Sequence, residues 1–81
     1  MAIYHLRIGQ AKYRKLISFE KKFEITKDLN YQVGDIVDFE ELVDNRFTGF
    51  SNTYRIDYVA RDENCGLKKG YCVLSLSPYY L

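Results

Sequence analysis

Residues 18–41 read SFEKKFEITKDLNYQVGDIVDFEE. From Lys22 to Thr26, apolar Phe23 and Ile25 alternate with polar Glu24 and Thr26, the two-residue period of a half-buried strand. Val33-Gly34-Asp35 then punctuates the segment, with Gly34 free to take a positive φ. In the next run Val37 and Phe39 alternate with Asp38 and Glu40, which predicts a second strand. The stretch thus reads as strand, tight turn, strand: a hairpin-like unit with one side on a core. Its other side gathers Lys21, Glu24 and Thr26, and a ligand contact is to be sought there first.

Towards the N-terminus, Ile3 to Ile8 predicts a strand in which His5 and Arg7 share one face and Tyr4, Leu6 and Ile8 the other. Gly9 breaks it. Gln10 to Ser18 predicts a short helix, since Tyr13, Leu16 and Ile17 fall at i, i+3 and i+4. A helix of about nine residues is not stable alone and must pack on the sheet. Lys12, Arg14 and Lys15 point elsewhere and read as a solvated face rather than a phosphate contact. Towards the C-terminus, Asp44 to Gly49 predicts a loop. Asn52 to Ala60 predicts a strand in which Tyr54, Ile56 and Tyr58 alternate with Arg55 and Asp57. Arg61 to Gly70 reads as a loop. Tyr71 to Ser77 closes the chain as a strand with Cys72, Leu74 and Leu76 on one face, ended by Pro78.

The expected fold class is α+β, mainly β. It consists of five short strands and one short N-terminal helix, in a twisted sheet curled toward a small barrel. An open α+β sandwich is the alternative from pattern alone. At 81 residues the chain is one domain, and 47% apolar content marks it as a folding sequence. The net charge of +1 lacks the basic excess of a strong nucleic-acid binder, so any such contact is local. Cys65 and Cys72 form no CxxC motif and the chain has a single His, which argues against a zinc site and a disulfide framework. Two reduced cysteines, no metal and no cofactor are expected. No apolar run approaches the ~18 residues of a membrane span, and MAIYHLRIG lacks a signal-peptide core. A cytoplasmic monomer is the expectation.

Several blocks in register carry a resemblance. Lys21-Lys22-Phe23-Glu24-Ile25, Val33-Gly34-Asp35-Ile36 and the run from Gly66 to Ser75, with His5-Leu6-Arg7-Ile8 and Phe47-Thr48-Gly49, resemble a small ASCH-type domain of the PUA-like superfamily. Within it, the chain is most similar to a compact family of unknown function found in phages and bacteria. The resemblance covers nearly the whole chain. It implies a small five-stranded PUA-like β-barrel and a role in binding RNA or a nucleotide. The ASCH pattern GxKxxExR sets charged residues beside a cleft between barrel and helix. Lys21 matches its Lys and Glu24 its Glu, while Phe19 stands at the Gly position and Thr26 at the Arg position. Loss of that Arg removes a planar, bidentate reader of phosphate and base.

The candidate ligand-binding residues are therefore Lys21, Glu24, His5, Arg7, Thr26 and Lys68, with no catalytic residue among them. Lys21 and Glu24 would point to opposite faces of a regular strand, so a shared cleft requires the chain to bend between them. The bland alternative is a surface ion pair worth about 0–1 kcal/mol. Lys21→Ala is expected to weaken ligand binding and leave the fold intact, because a Lys at a strand's start contributes little to the core. His5 and Arg7 would line the same cleft from the first strand. Some ASCH proteins resemble amide hydrolases of acylated nucleosides that use a Lys and a Thr three residues later. Here that later position is Glu24, so the nucleophile is missing. A second class of function is a protein-binding module, such as a phage-type inhibitor of a host protein. Phe47, Phe50, Tyr79 and Tyr80 would be its anchors if exposed. Solvent-facing Phe47, Phe50 and Tyr79 would favour that partner, and a cleft walled by Lys21, Arg7 and Lys68 a nucleotide.

Overall fold

The computed structural model describes residues 1–61 and 66–80, so Cys65 and part of the expected 61–70 loop lie outside the described residues. The elements run β1 (Ile3–Gly9), α1 (Gln10–Ile17), β2 (Phe23–Lys27), β3 (Ile36–Val43), β4 (Arg46–Ala60) and β5 (Tyr71–Pro78). They build one five-stranded mixed sheet in the order β1-β3-β4-β5-β2, curled into a half-barrel. β1 runs parallel to β3, and every other pairing is antiparallel. Among the described residues no helix is long and apolar enough to cross a membrane.

A parallel pair needs a crossover. Here the crossover from β1 to β3 carries α1, which packs on both strands, and then β2, which departs to the far edge. The hairpin expected for residues 18–41 therefore does not form: β2 pairs with β5, and β3 with β1 and β4. What does hold is the turn at Val33-Gly34-Asp35. Gly34 takes φ 93° and its N–H donates to Ile56 O at 2.8 Å. The buried Asp35 carboxylate accepts from the backbone N–H of Ala2 at 3.0 Å and of Gln32 at 2.9 Å. That turn locks the start of β3 between β1 and β4.

The facing of β2 is the reverse of the expected one. Glu24 is buried and Thr26 half-buried, whereas Phe23 and Ile25 face solvent at 44% and 49% exposure. An edge strand is specified by its partner's register as much as by its own pattern. Pairing Glu24 with Leu74 and Thr26 with Cys72, both buried on β5, turns the polar pair inward.

The core lies inside the curl: Leu16, Tyr31, Val37, Phe39, Tyr54, Ile56, Cys72, Leu74 and Leu76, with Tyr4, Leu6, Ile8 and Val59 packed against it. Tyr4 meets Tyr31 edge-on at 4.6 Å between centroids, and Phe39 meets Tyr54 at 5.8 Å. The inward faces expected for β1 and β5 are the observed ones. On α1, Tyr13 and Leu16 are buried but Ile17 is 38% exposed.

β4 is longer than expected. Asp44 and Asn45, at φ 52° and 61°, make a tight left-handed turn, and residues 46–51, expected to be mainly loop, continue the strand. Two irregularities shape it. Around Gly49, φ 95°, the register between Glu40 and Leu42 shifts. At Asp57 one extra residue intervenes between Ile56 and Tyr58, which turns Tyr58 outward and Val59 inward.

Candidate functional site

The site begins where α1 ends. Ser18 N donates to Arg14 O at 3.1 Å and Phe19 N to Leu16 O at 3.2 Å, closing the last turn. Phe19 then takes φ 64°, a left-handed conformation that glycine adopts freely and a side chain with a Cβ does not. The chain turns back, with Lys21 N donating to Lys15 O at 3.1 Å, and Lys22 O accepts from Leu76 N at 2.9 Å as β2 starts. This bend answers the strand-geometry objection to Lys21 and Glu24 meeting, because Lys21 lies before the strand.

Lys21 Nζ donates to Glu24 Oε1 at 3.1 Å, and the same oxygen accepts from Ile25 N–H at 3.1 Å. The side chains are 18% and 3% exposed, so the surface ion pair envisaged from sequence is in fact largely buried. Glu24 Oε2 is buried without a hydrogen-bond partner among the described residues. A half-satisfied buried carboxylate is costly and holds its one cation firmly.

Lys21 also lines a cleft of about 290 Å³ with Leu16, Phe19, Lys22, Tyr54, Leu76, Ser77 and Pro78. A second cleft of about 170 Å³ shares Phe19, Tyr54 and Pro78 and adds Ile17, Asn52, Thr53, Tyr79 and Tyr80. The two are neighbouring lobes that share Phe19, one bearing Lys21 and Lys22 and the other adding Tyr79 and Tyr80.

The remaining candidates lie elsewhere. Thr26 is half-buried, in register with Cys72. His5 and Arg7 stand on the exposed face of β1, where parallel pairing sets them opposite Asp38 and Glu40. His5 Nδ1 is 3.3 Å from Asp38 Oδ2, and Arg7 Nε donates to Glu40 Oε1 at 3.1 Å. His5 lines a different cleft of about 280 Å³, with Met1, Ile3, Ile36, Asp38, Thr53 and Tyr79. Lys68 is exposed, its ammonium 5.9 Å from the centroid of the Tyr71 ring. None of these three clefts brings Lys21, Arg7 and Lys68 together.

His5, Asp38 and Glu40 offer ligand-capable atoms within 4.8 Å of one another. Arg7 engages Glu40 and Thr53 Oγ1 donates to Asp38 at 3.3 Å, so these groups already satisfy one another as cross-strand pairs. Sequence reading passed over Tyr54, Leu76 and Asn52 as cleft residues. It placed Phe19 only as a departure from a motif. The signal available was the ring at a glycine position, directly after a helix.

Fold and site together define a small α+β protein of one curled sheet, with a cleft between its helix and the β4–β5 end that pairs a buried charge with aromatic walls. The chain belongs to the family described as a domain of unknown function (DUF3850), which it matches over residues 3–76. No curated protein matches it.

Proposed function

We propose that this chain is a small non-enzymatic PUA-like module of the ASCH type that binds an unpaired nucleotide, free or within single-stranded RNA, in the cleft beside α1. The observation that carries the reading is the buried Lys21–Glu24 pair at the edge of an aromatic cleft. Glu24 orients the ammonium, and Lys21 Nζ donates to no other group among the described residues, which leaves donor hydrogens for a phosphate or base carbonyl. The motif resemblance supports the same pair, and the positive φ at Phe19 fits the place of the motif's glycine. Glu24 stands where the hydrolytic relatives carry threonine, which supports binding rather than turnover.

Lys21→Ala alone strands a buried carboxylate and is expected to cost about 3 kcal/mol or less in stability, given the partial exposure of Lys21. The earlier expectation that it leaves the fold intact is replaced by this. The cleaner test is Lys21→Gln with Glu24→Gln, which buries no unpaired charge. Isothermal titration with nucleoside monophosphates should show a loss of roughly tenfold in affinity, as expected for a charged hydrogen bond, with little change in melting temperature. Unchanged affinity would sink the reading.

A second reading has one observation in its favour. From Val43 to Asn52 every residue is exposed, on both faces of the β3–β4 hairpin, with Phe47 at 42% and Phe50 at 68%. The hairpin end is therefore an arm carrying aromatic side chains, suited to grip a protein partner.

A further inference from the structure

Phe19 combines two features that folding alone does not reward. Its backbone sits at φ 64°, which disfavours any residue bearing a Cβ and an aromatic one in particular. Phe19 is nevertheless 54% exposed, so only part of its surface is buried to set against that strain. The ring lines both lobes of the cleft. One lobe holds Lys21 and Lys22; the other adds Asn52, Tyr79 and Tyr80, the last 85% exposed.

Resting on the nucleotide reading above, we propose that Phe19 is a stacking platform for the base. The phosphate lies toward Lys21 and Lys22, and the base lies over the ring in the tyrosine-lined lobe. The chemistry follows from the neighbours. A planar π-face with cations to one side complements a flat ring that carries an anion on a short tether. An aliphatic ligand would leave Lys22 and the remaining Lys21 ammonium hydrogens unanswered, and a bare phosphate would leave Phe19 idle. The strained backbone then has a role: it presents a rigid aromatic at the junction of the lobes.

The chain contains no Trp, so Phe19→Trp introduces a single indole as reporter. Wild type, Phe19→Trp, Phe19→Gly and the Lys21→Gln/Glu24→Gln pair are titrated with AMP, phenyl phosphate, inorganic phosphate and a short oligo(A). The variants are also melted. Phe19→Trp should bind AMP within about threefold of wild type with quenched indole emission, and Phe19→Gly should bind roughly tenfold more weakly while melting at higher temperature. Oligo(A) binding more tightly than AMP identifies the RNA strand as the source of the nucleotide, and equal binding identifies the free nucleotide. Either supports the platform. Phe19→Gly binding like wild type while the paired Gln variant is weakened overturns the platform and spares the cleft. A lower melting temperature for Phe19→Gly makes Phe19 structural and overturns the proposal, as does phenyl phosphate matching AMP, which would point to a phosphotyrosine-like ligand. Wild type binding neither AMP nor oligo(A) overturns both readings.

Discussion

Tyr31 is fully enclosed, and its hydroxyl has no hydrogen-bond partner among the described residues. Burial first, and then the neighbouring Cys72 and Tyr4, push its pKa from 10.0 up to about 12. The sign of the linkage follows. The folded state favours the neutral phenol, so this contribution is complete below pH 10 and is lost as pH rises from there through about 12. At most about 2–3 kcal/mol is involved. Tyr31→Phe should therefore be neutral or up to ~1 kcal/mol stabilising at pH 7, since no bond is lost. It should unfold less readily than wild type in urea at pH 11. Tyr13 and Tyr54, also raised mainly by burial, keep part of the alkaline sensitivity in place. Residue chemistry was only partly legible beforehand. Cys72 reads as buried from alternation and is, its thiol pushed up by burial. Glu24 reads as outward because carboxylates avoid cores, yet it is buried because Lys21 follows it in.

Between β2 and β3 the chain is clamped by one ion pair from β4's end. Arg61 donates from Nε and Nη2 to the Asp28 carboxylate, and from Nη2 also to Tyr31 O. The Arg61 hydrogen bond, followed by smaller backbone bonds, holds the Asp28 carboxyl below its ordinary value. A depressed carboxyl contributes stability above its unfolded pKa of 3.8 and loses it as pH falls through the lower folded value. Asp28→Asn is expected to cost about 1 kcal/mol at pH 7, discounted because Arg61 is 42% exposed. The gap to wild type should narrow as pH falls below 3.8 in acid melts. A constant gap across pH would show that the clamp is not charge-based. Elements were the most legible scale: each strand and the helix exist where periodicity places them. The misjudged parts are local. Phe47-Thr48-Gly49 resembles a loop because Gly49 and a bulge break the alternation, and Tyr58 faces out because Asp57 shifts the phase. A bulge leaves no reliable mark on a period-two pattern.

Pairing order was the least legible. Consecutive strands tend to be neighbours, so residues 18–41 suggest a hairpin; the actual sheet sends β2 to one edge while β3 pairs with β1. That separation creates the cleft. α1 covers β1 and β3, β2 borders β5, and the segment linking α1 to β2 carries Phe19, Lys21 and Lys22 across the end of the curl. His5 and Arg7, grouped with Lys21 on sequence grounds, end on the outer face because parallel pairing gives them Asp38 and Glu40 instead. The measurement that tests the central claim most directly is an amide-resolved NMR titration of the labelled protein with AMP and a short single-stranded RNA. The account predicts shifts clustered at Phe19, Lys21, Lys22, Asn52, Ser77 and Tyr80, with His5, Arg7 and Lys68 still. Shifts confined to His5 and Arg7, or no shift anywhere, would contradict it and move attention to Phe47 and Phe50 on the exposed arm.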